Sequence, residues 1–171
     1  MDNLTKKYKL KFMLDYGCDC LWSADDETET NFGYQIDNLS DVGLSEPTIG
    51  LSEYVSDLYG FRLNPIYQML PSFWSGEMHL FFQNKVKELY GKVVTDTENK
   101  FEIIVSESAD REMNEKIDIA KINNDLKKFV DNPEEYFMNN GIHFNDKFSL
   151  INEVRKEYEN WKKAEQKYNL K

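Results

Sequence analysis

Four residues of this 171-residue chain have side chains suited to metal binding: Cys18, Cys20, His79 and His143. Cysteines two positions apart on a strand place both thiols on one face, but a structural zinc site needs four ligands. His79 lies beside a helical apolar stripe and His143 lies between two apolar residues, so we expect both imidazoles to pack rather than to coordinate. Cysteines this close in sequence also make a poor disulfide. We therefore predict no metal site, and the role of the two cysteines stays open.

Nucleophilic catalysis would draw on Ser72, Ser75 and His79, which lie close together in the sequence. The chain has no G-x-S-x-G nucleophile elbow, no phosphate-binding loop and no H-E-x-x-H helix, which are the local patterns that identify such catalytic sites. With only two histidines, general-base chemistry near neutral pH would fall to carboxylates, as in some hydrolases. We predict a protein that is not an enzyme and has no catalytic residues. A carboxylate-based hydrolase is an alternative that the many acids leave open.

Acidic residues are distributed unevenly along the chain. Between Phe12 and Phe61 there is no lysine, arginine or histidine, yet this segment holds eleven Asp and Glu residues. The first 60 residues carry 12 acids and 4 bases, whereas the remaining 111 carry 19 acids and 17 bases. A field of one sign costs stability through self-repulsion, and it is most useful for steering and docking a cationic partner. A solvated acidic loop that keeps the protein soluble is the alternative interpretation.

The acidic segment also contains aromatic residues, and aromatic rings beside charged groups are typical of binding hot spots. We therefore predict a partner-binding surface in this segment, made of Asp15, Asp19, Trp22, Asp25, Asp26, Glu27, Glu29 and Tyr34. Residues 25–29 lack the spaced acids, the central glycine and the terminal glutamate of an EF-hand loop, so we expect no calcium site. No cofactor is predicted.

The formal net charge of −10 argues against two classes of partner. A phosphate backbone and an anionic membrane surface both attract basic proteins, so we expect neither direct nucleic-acid binding nor membrane docking. No apolar run approaches the roughly 20 residues of a membrane-spanning helix, and Asp15 interrupts the apolar stretch that a secretion signal would need. Two cysteines fit a reduced compartment. We predict a cytoplasmic protein with a basic protein partner.

The hydrophobic pattern predicts one α+β domain over residues 1–171, a length that suits a single core. Alternation over residues 8–15 indicates a half-buried strand. Residues 92–96 and 101–106 are predicted to form a hairpin that joins this strand in a small antiparallel sheet. A further short strand is expected over residues 32–36, and the polar residues 23–31 are expected to form an exposed loop.

Helices are predicted near residues 47–59, 77–90, 117–131, 133–140 and 147–168, the last being a long C-terminal helix. The helix at residues 77–90 has the clearest pattern, because its apolar residues recur every three or four positions and Gly91 supplies a C-terminal stop. We expect Phe81, Phe82 and Leu89 to be buried on this helix.

The segment KLKFMLDYGC at residues 9–18, with Leu21 and Trp22 and then Leu44 and Ser45 before an amphipathic helix, resembles the immunity proteins. These are small acidic bacterial proteins encoded beside polymorphic or contact-dependent toxins. The resemblance covers about the first half of the chain. It implies a cytoplasmic, non-enzymatic inhibitor that binds one cognate toxin, often a nuclease, and occludes its active site. Immunity proteins differ in fold, so no functional residue carries over position by position.

A second interpretation shares the acidic surface. A phage-encoded inhibitor that mimics the charge of nucleic acid would block a host defence or transcription protein with the same residues. The neighbouring gene separates the two, because a large modular toxin gene supports an immunity protein and a cluster of virion genes supports the phage inhibitor.

Overall fold

A computed structural model describes residues 8–98, 100–141, 147–168 and 170. In this part of the chain the strands are β1 (Tyr8–Phe12), β2 (Leu21–Ser23) and β3 (Phe101–Val105). The helices there are α1 (Asp26–Phe32), α2 (Glu46–Phe61), α3 (Gly76–Thr97), α4 (Glu107–Asn114), α5 (Ile119–Asp131), α6 (Pro133–Asn139) and α7 (Lys147–Glu165). The predicted α+β class, with a small sheet, several helices and a long C-terminal helix, is confirmed.

The three strands form one mixed sheet in the order β2-β1-β3. β1 pairs antiparallel with β2 and parallel with β3, where Leu10 lies opposite Ile103. Leu10 and Phe12 are fully buried and Lys9 is exposed, so β1 has the predicted alternation. The prediction of an antiparallel sheet is wrong for β3, because a long helical connection brings β3 back in the same direction as β1.

The predicted strand at residues 92–96 is also wrong, because these residues belong to α3. Val86, Leu89, Val93 and Thr97 are all buried at spacings of three and four positions, so the apolar stripe continues past Gly91. A Cβ atom at Gly91 would meet nothing within 4 Å, and glycine at such an open position costs a helix only about 1 kcal/mol. Burial of the stripe outweighs the β propensity of the valines.

The helix at residues 77–90 is confirmed and extends further in both directions. Phe82 and Leu89 are buried as predicted, whereas Phe81 is only half-buried. The other four predicted helices correspond to α2, α5, α6 and α7, with bounds that differ by a few residues.

Two short helices lie where the pattern predicts none. The loop prediction for residues 23–31 is wrong, because Asp25 caps α1 by accepting a hydrogen bond from the Thr28 N–H. Ser106 caps α4 in the same way by accepting from the Ala109 N–H. α1 buries only Thr28, and α4 buries only Ala109 and Met113. With so few buried positions, the main signals of both helices are the cap and the acids of the first turn.

The predicted strand at residues 32–36 is replaced by a single bridge between Trp22 and Gln35. Phe32 ends α1, and Gly33 follows with a φ of 86°, a conformation that glycine adopts without strain. Only the residues after this turn reach β2, through hydrogen bonds from the Ser23 N–H to the Tyr34 carbonyl and from the Ile36 N–H to the Leu21 carbonyl.

The chain divides into two compact units that are each discontinuous in sequence. Unit 1 lies within Met1–Gly60 and Phe82–Glu115, and unit 2 lies within Phe61–Phe81 and Lys116–Lys171. In unit 1 the sheet, α2 and α3 contribute buried side chains, among them Leu10, Phe12, Val55, Leu58, Phe82 and Leu89. In unit 2 one cluster contains Leu70, Phe73, Leu126, Phe129, Phe137, Leu150 and Val154. The prediction of one domain over residues 1–171 stays a prediction.

The N-terminus of α2 is held by Asp96, which lies near the end of α3. The Asp96 carboxylate accepts hydrogen bonds from the Ser45 N–H at 2.9 Å, the Ser45 hydroxyl at 2.8 Å and the Thr48 hydroxyl at 2.7 Å. Partial burial works to raise the pKa of Asp96, but these hydrogen bonds and the charge of Lys92 outweigh it, so the pKa lies below its ordinary value. The carboxylate form therefore stabilises this contact between α2 and α3.

Replacing Asp96 with alanine should lower the free energy of unfolding at pH 7 by about 1–3 kcal/mol, since it removes a charged acceptor of three hydrogen bonds. The pKa of Asp96 is lower in the folded protein than in the unfolded chain. Asp96 therefore stabilises the fold fully above the unfolded pKa, and this stabilisation is lost as the pH falls through the folded pKa. The difference between Asp96→Ala and the parent should therefore shrink on acidification. Urea melts at several pH values measure it, with Asp57→Asn, an exposed acid on α2, as the control.

Candidate functional site

The predicted acids Asp25, Asp26, Glu27 and Glu29 begin the helix α1. The Asp25 carboxylate accepts from the Thr28 N–H at 2.9 Å and from the Thr28 hydroxyl at 2.7 Å. Buried Thr28 in turn accepts from the backbone N–H of Lys9 at 2.9 Å, which ties α1 to β1. Asp26, Glu27 and Glu29 are exposed in the first turn, where negative charge also favours the helix dipole. Asp25 therefore has a structural role, and the other three acids face solvent.

Trp22 and Tyr34 are in contact and differ in exposure. Their ring centroids lie 5.5 Å apart in an edge-to-face arrangement, a favourable geometry for aromatic pairs. Trp22 is only 9% exposed, whereas Tyr34 is 64% exposed. Trp22 is therefore the buried ring of the pair and Tyr34 the exposed one.

Asp19 lies in the loop between β1 and β2 and is half-buried. The pKa of its carboxyl is raised above the ordinary value, first by burial and then by the negative charges of Glu53 and Asp37. Glu53 lies on α2, Asp37 lies between α1 and α2, and both are exposed. We call Asp19, Asp37 and Glu53 the carboxylate cluster, since the charges of the other two acids raise the pKa of Asp19.

The loop between β1 and β2 also presents an aromatic ring. Tyr16 is 45% exposed and stacks on Tyr59 of α2, with ring centroids 4.5 Å apart and an interplanar angle of 19°. Its backbone N–H donates to the exposed Asp15 carboxylate at 2.8 Å. The Ser56 hydroxyl of α2 donates to the Cys18 carbonyl at 3.0 Å. These contacts hold the loop against α2 and keep Tyr16 and Asp15 at the surface.

The pKa of Asp19 is higher in the folded protein than in the unfolded chain, so folding favours the protonated carboxyl. As the pH rises through the folded pKa this preference is lost, and ionised Asp19 destabilises unit 1 at neutral pH. We expect Asp19→Asn to raise the free energy of unfolding at pH 7 by up to about 1 kcal/mol, a modest effect because the group is partly solvated. Glu53→Gln should lower the pKa of Asp19, measured by carboxyl carbon NMR. An Asp19 carboxyl that titrates at the ordinary value in the parent protein would contradict the cluster.

The structure thus gathers the predicted binding residues into separate groups of unit 1. Asp19 is influenced by the charges of two acids that the prediction does not include, Asp37 and Glu53. Glu53 could have been found from its exposed position on the predicted helix α2, since it lies opposite the buried residues Ser52 and Val55. The nearness of Asp37 carries no sequence signal, because it depends on the path of the chain between α1 and α2.

Cys20 is buried in the core of unit 1. Its thiol sulfur accepts a hydrogen bond from the Ser52 hydroxyl at 3.3 Å, and burial is the main cause that raises its pKa to about 12. A thiol that stays protonated is neither a nucleophile nor a metal ligand at neutral pH. Cys18 is half-buried, and both cysteines are free thiols.

The residues of the serine–histidine pattern have other partners in unit 2. Ser75 donates to the Glu165 carboxylate and accepts from the Met78 N–H at 3.1 Å, while Ser72 accepts from the Trp74 N–H at 3.2 Å. His79 packs edge-on against Trp74 with ring centroids 5.4 Å apart. Burial, aided by the charge of Arg62, lowers the pKa of His79 to about 4. His79 is a packing residue as predicted, and His143 lies outside the described residues.

Among residues 8–98, 100–141, 147–168 and 170, no group of three or more His, Cys, Asp or Glu side chains is arranged to hold a metal ion. None of the helices in these ranges has both the length and the apolar character needed to cross a membrane.

No protein-family model matches this chain, and no curated protein is significantly similar to it.

Proposed function

We propose that this protein is a non-enzymatic bacterial immunity protein, which binds a basic protein toxin in the cytoplasm and occludes the active site of that toxin. The proposal joins the resemblance of residues 9–18 to immunity proteins with the charges and exposed rings of unit 1. The toxin is expected to be basic, and a nuclease meets that requirement because it must bind a phosphate backbone.

The observation that carries the proposal is the segregation of charge between the two units. Unit 1 contains 20 acids and 9 bases, whereas unit 2 contains 11 acids and 12 bases. The whole acidic excess of the chain therefore belongs to unit 1, although the unit is assembled from two separate segments. A compact body with this excess attracts a basic partner over roughly one Debye length, about 30 Å at 0.01 M ionic strength, and raises the rate of encounter.

Exposed aromatic rings supply the short-range part of the interaction. Tyr34 and Tyr16 are each held by a second ring, Trp22 and Tyr59 respectively. A ring fixed in this way loses little conformational entropy when it is covered, which is why tyrosine and tryptophan are frequent anchors of interfaces. We propose that the acids orient the toxin and that the two tyrosines contribute most of the contact energy.

The carboxylate cluster adds selectivity for a cation. Repulsion of the ionised Asp19 by the charges of Asp37 and Glu53 is a cost that unit 1 bears when no partner is bound. A lysine or arginine side chain placed beside Asp19 would relieve this repulsion and donate a charge-assisted hydrogen bond to its carboxylate. An uncharged or acidic side chain would leave it in place. Binding of a basic partner is therefore favoured over binding of a neutral one by the same residues.

The proposal is tested by expressing this protein together with the toxin domain encoded by the neighbouring gene. We expect growth to be restored when both proteins are present, and the purified pair to form a complex that blocks the toxin's activity. An unrelated toxin of the same activity class is the control, because an immunity protein protects only against its cognate toxin. Failure to bind or protect, with inhibition of a host defence or transcription protein instead, would favour the phage inhibitor.

A further inference from the structure

The outer edge of β3 differs from the opposite edge of the sheet. Beyond β2, the chain at residues 34–36 covers the edge through the hydrogen bonds that join Ser23 to Tyr34 and Leu21 to Ile36. β3 is the last strand in the sheet order, so within the described part of the chain no further strand lies beyond it. An edge strand with free backbone groups is a template for pairing with another extended chain.

The parallel register fixes which backbone groups of β3 point outward. The Ser106 N–H donates to the Phe12 carbonyl at 2.9 Å, and Phe12 lies opposite Val105. In a parallel ladder this bond directs the backbone groups of residues 102, 104 and 106 toward β1. The N–H and C=O groups of Ile103 and Val105 consequently point away from the sheet, and no hydrogen bond within the described residues engages them. Phe101 has the same orientation but is only 2% exposed, so its backbone groups are covered.

The side chains of β3 suit a strand partner as well. Ile104 is 37% exposed, and Glu102 is exposed on the same face. A partner strand could place cations beside Glu102 on this face and apolar β-branched residues beside the half-buried Ile103 and Val105 on the other face, because successive side chains of a strand alternate in direction. The strand is therefore equipped to recognise side chains that alternate between basic and apolar character.

Charge decides which occupant is favoured. Residues 96–115, which contain β3 and its flanks, carry seven acids and two bases. A second copy of this chain would bring two units together that each have 20 acids and 9 bases, which is repulsive. A basic strand is attracted by the same charges.

We propose that the outer edge of β3 binds an extended basic segment of the toxin, which joins the sheet as a fourth strand. The inference rests on the proposed function and specifies how the partner is held. Main-chain hydrogen bonds to Ile103 and Val105 would supply affinity, and the alternating side chains would supply specificity.

Amide hydrogen exchange of the full-length protein tests this inference with a defined probe, an acetylated and amidated peptide of sequence KVKVKVK. We expect the peptide to slow exchange of the outward amides of Ile103 and Val105 by about tenfold or more, while the amides of Glu102 and Ile104, which point toward β1, change little. The control is the same KVKVKVK peptide with every peptide nitrogen methylated, which keeps the charge and the side chains but has no N–H group to donate to β3. Protection by both peptides alike, or by neither, would overturn the inference.

The toxin complex is tested with two variants at one position. Ile103→Pro removes an outward N–H and no bond to β1, a change that edge strands accept, and it should weaken toxin binding about tenfold or more. Ile103→Ala also shortens the side chain but keeps the backbone N–H, so this variant should bind the toxin at close to the parental level. Equal weakening by both variants would show that the side chain matters and the edge does not. If Ile103→Pro does not fold, amide exchange of the parent protein with and without toxin shows instead whether the toxin protects the outward amides of β3.

The outcomes for β3 and for the proposed function are distinct. If exchange at the amides of Ile103 and Val105 slows as the protein concentration rises, without peptide, the occupant is a second copy of this chain and the inference is overturned. Parental toxin protection by a folded Ile103→Pro variant would also overturn it, yet would leave the immunity function intact. If the peptide protects the amides of β3 from exchange but the protein neutralises no toxin, the result would support strand binding at this edge and contradict the proposed function.

Discussion

Replacing Phe82 with alanine should lower the free energy of unfolding by about 3–5 kcal/mol. The Phe82 ring is 1% exposed within α3 and stacks on Tyr59 of α2, with ring centroids 5.9 Å apart. Truncation removes the buried apolar surface and leaves a cavity that the surrounding helices and sheet cannot fill completely. Since domains of this size are stable by about 5–15 kcal/mol, the loss is a large fraction of the total.

The matched control is Phe61→Ala, which makes the same chemical change at a side chain that is 59% exposed. Its effect should stay within about 0.5 kcal/mol of the parent, as is usual for surface positions. Urea denaturation followed by tryptophan fluorescence measures both variants. Equal midpoints for Phe82→Ala and the parent would show that this ring does not belong to the core.

Neutralising the exposed acids of α1 should slow capture of the toxin by about tenfold at low salt, since long-range steering acts on the association rate. The variant combines Asp26→Asn, Glu27→Gln and Glu29→Gln, and Asp25 is retained because its carboxylate caps the helix. The dissociation rate should change much less. Raising the ionic strength should slow the parent toward the rate of the variant, because exposed charges are screened beyond about 8 Å at physiological salt.

An equal change of charge in unit 2 provides the control. Glu134→Gln and Glu135→Gln alter two acids at the start of α6, a position comparable to that of the α1 acids, and Glu153→Gln alters an exposed acid of α7. Stopped-flow association rates and growth protection are compared for the three proteins. If both variants slow association equally, net charge alone matters. If the α1 variant binds and protects at the parental level, the acids of α1 are a solubility feature and the contact lies elsewhere.

The parts of the fold that follow from local periodicity were predictable. β1 shows alternation because one face of it is buried, and α3 shows a stripe because Phe82, Val86 and Leu89 enter one core. The strand prediction for residues 92–96 is wrong because the local pattern is ambiguous. A glycine followed by β-branched residues is compatible both with a helix that stops before a strand and with a helix that continues. What decides between them is burial of Val93 and Thr97, a property of the folded unit rather than of the segment.

The candidate site was predictable only in its composition. The acids of residues 25–29 are exposed as a binding role requires, apart from Asp25, whose carboxylate is engaged in the helix cap. The sequence assigns Trp22 and Tyr34 the same role, but packing buries one ring and leaves the other at the surface. The carboxylate cluster joins residues from three separate segments, and no spacing rule connects Asp19 with Glu53.

The pairing of β1 with β3 has a consequence for synthesis at the ribosome. Phe101 lies opposite Tyr8 but follows it by roughly 90 residues, and a chain elongating at about 5–20 residues per second needs some 5–20 s to supply them. During this interval the central strand of the sheet has a partner on the β2 side alone, and its other edge is open to a neighbouring nascent chain. Completion of the sheet must wait until β3 is released, so the last step of folding in unit 1 is expected to follow, rather than accompany, translation of its first 60 residues.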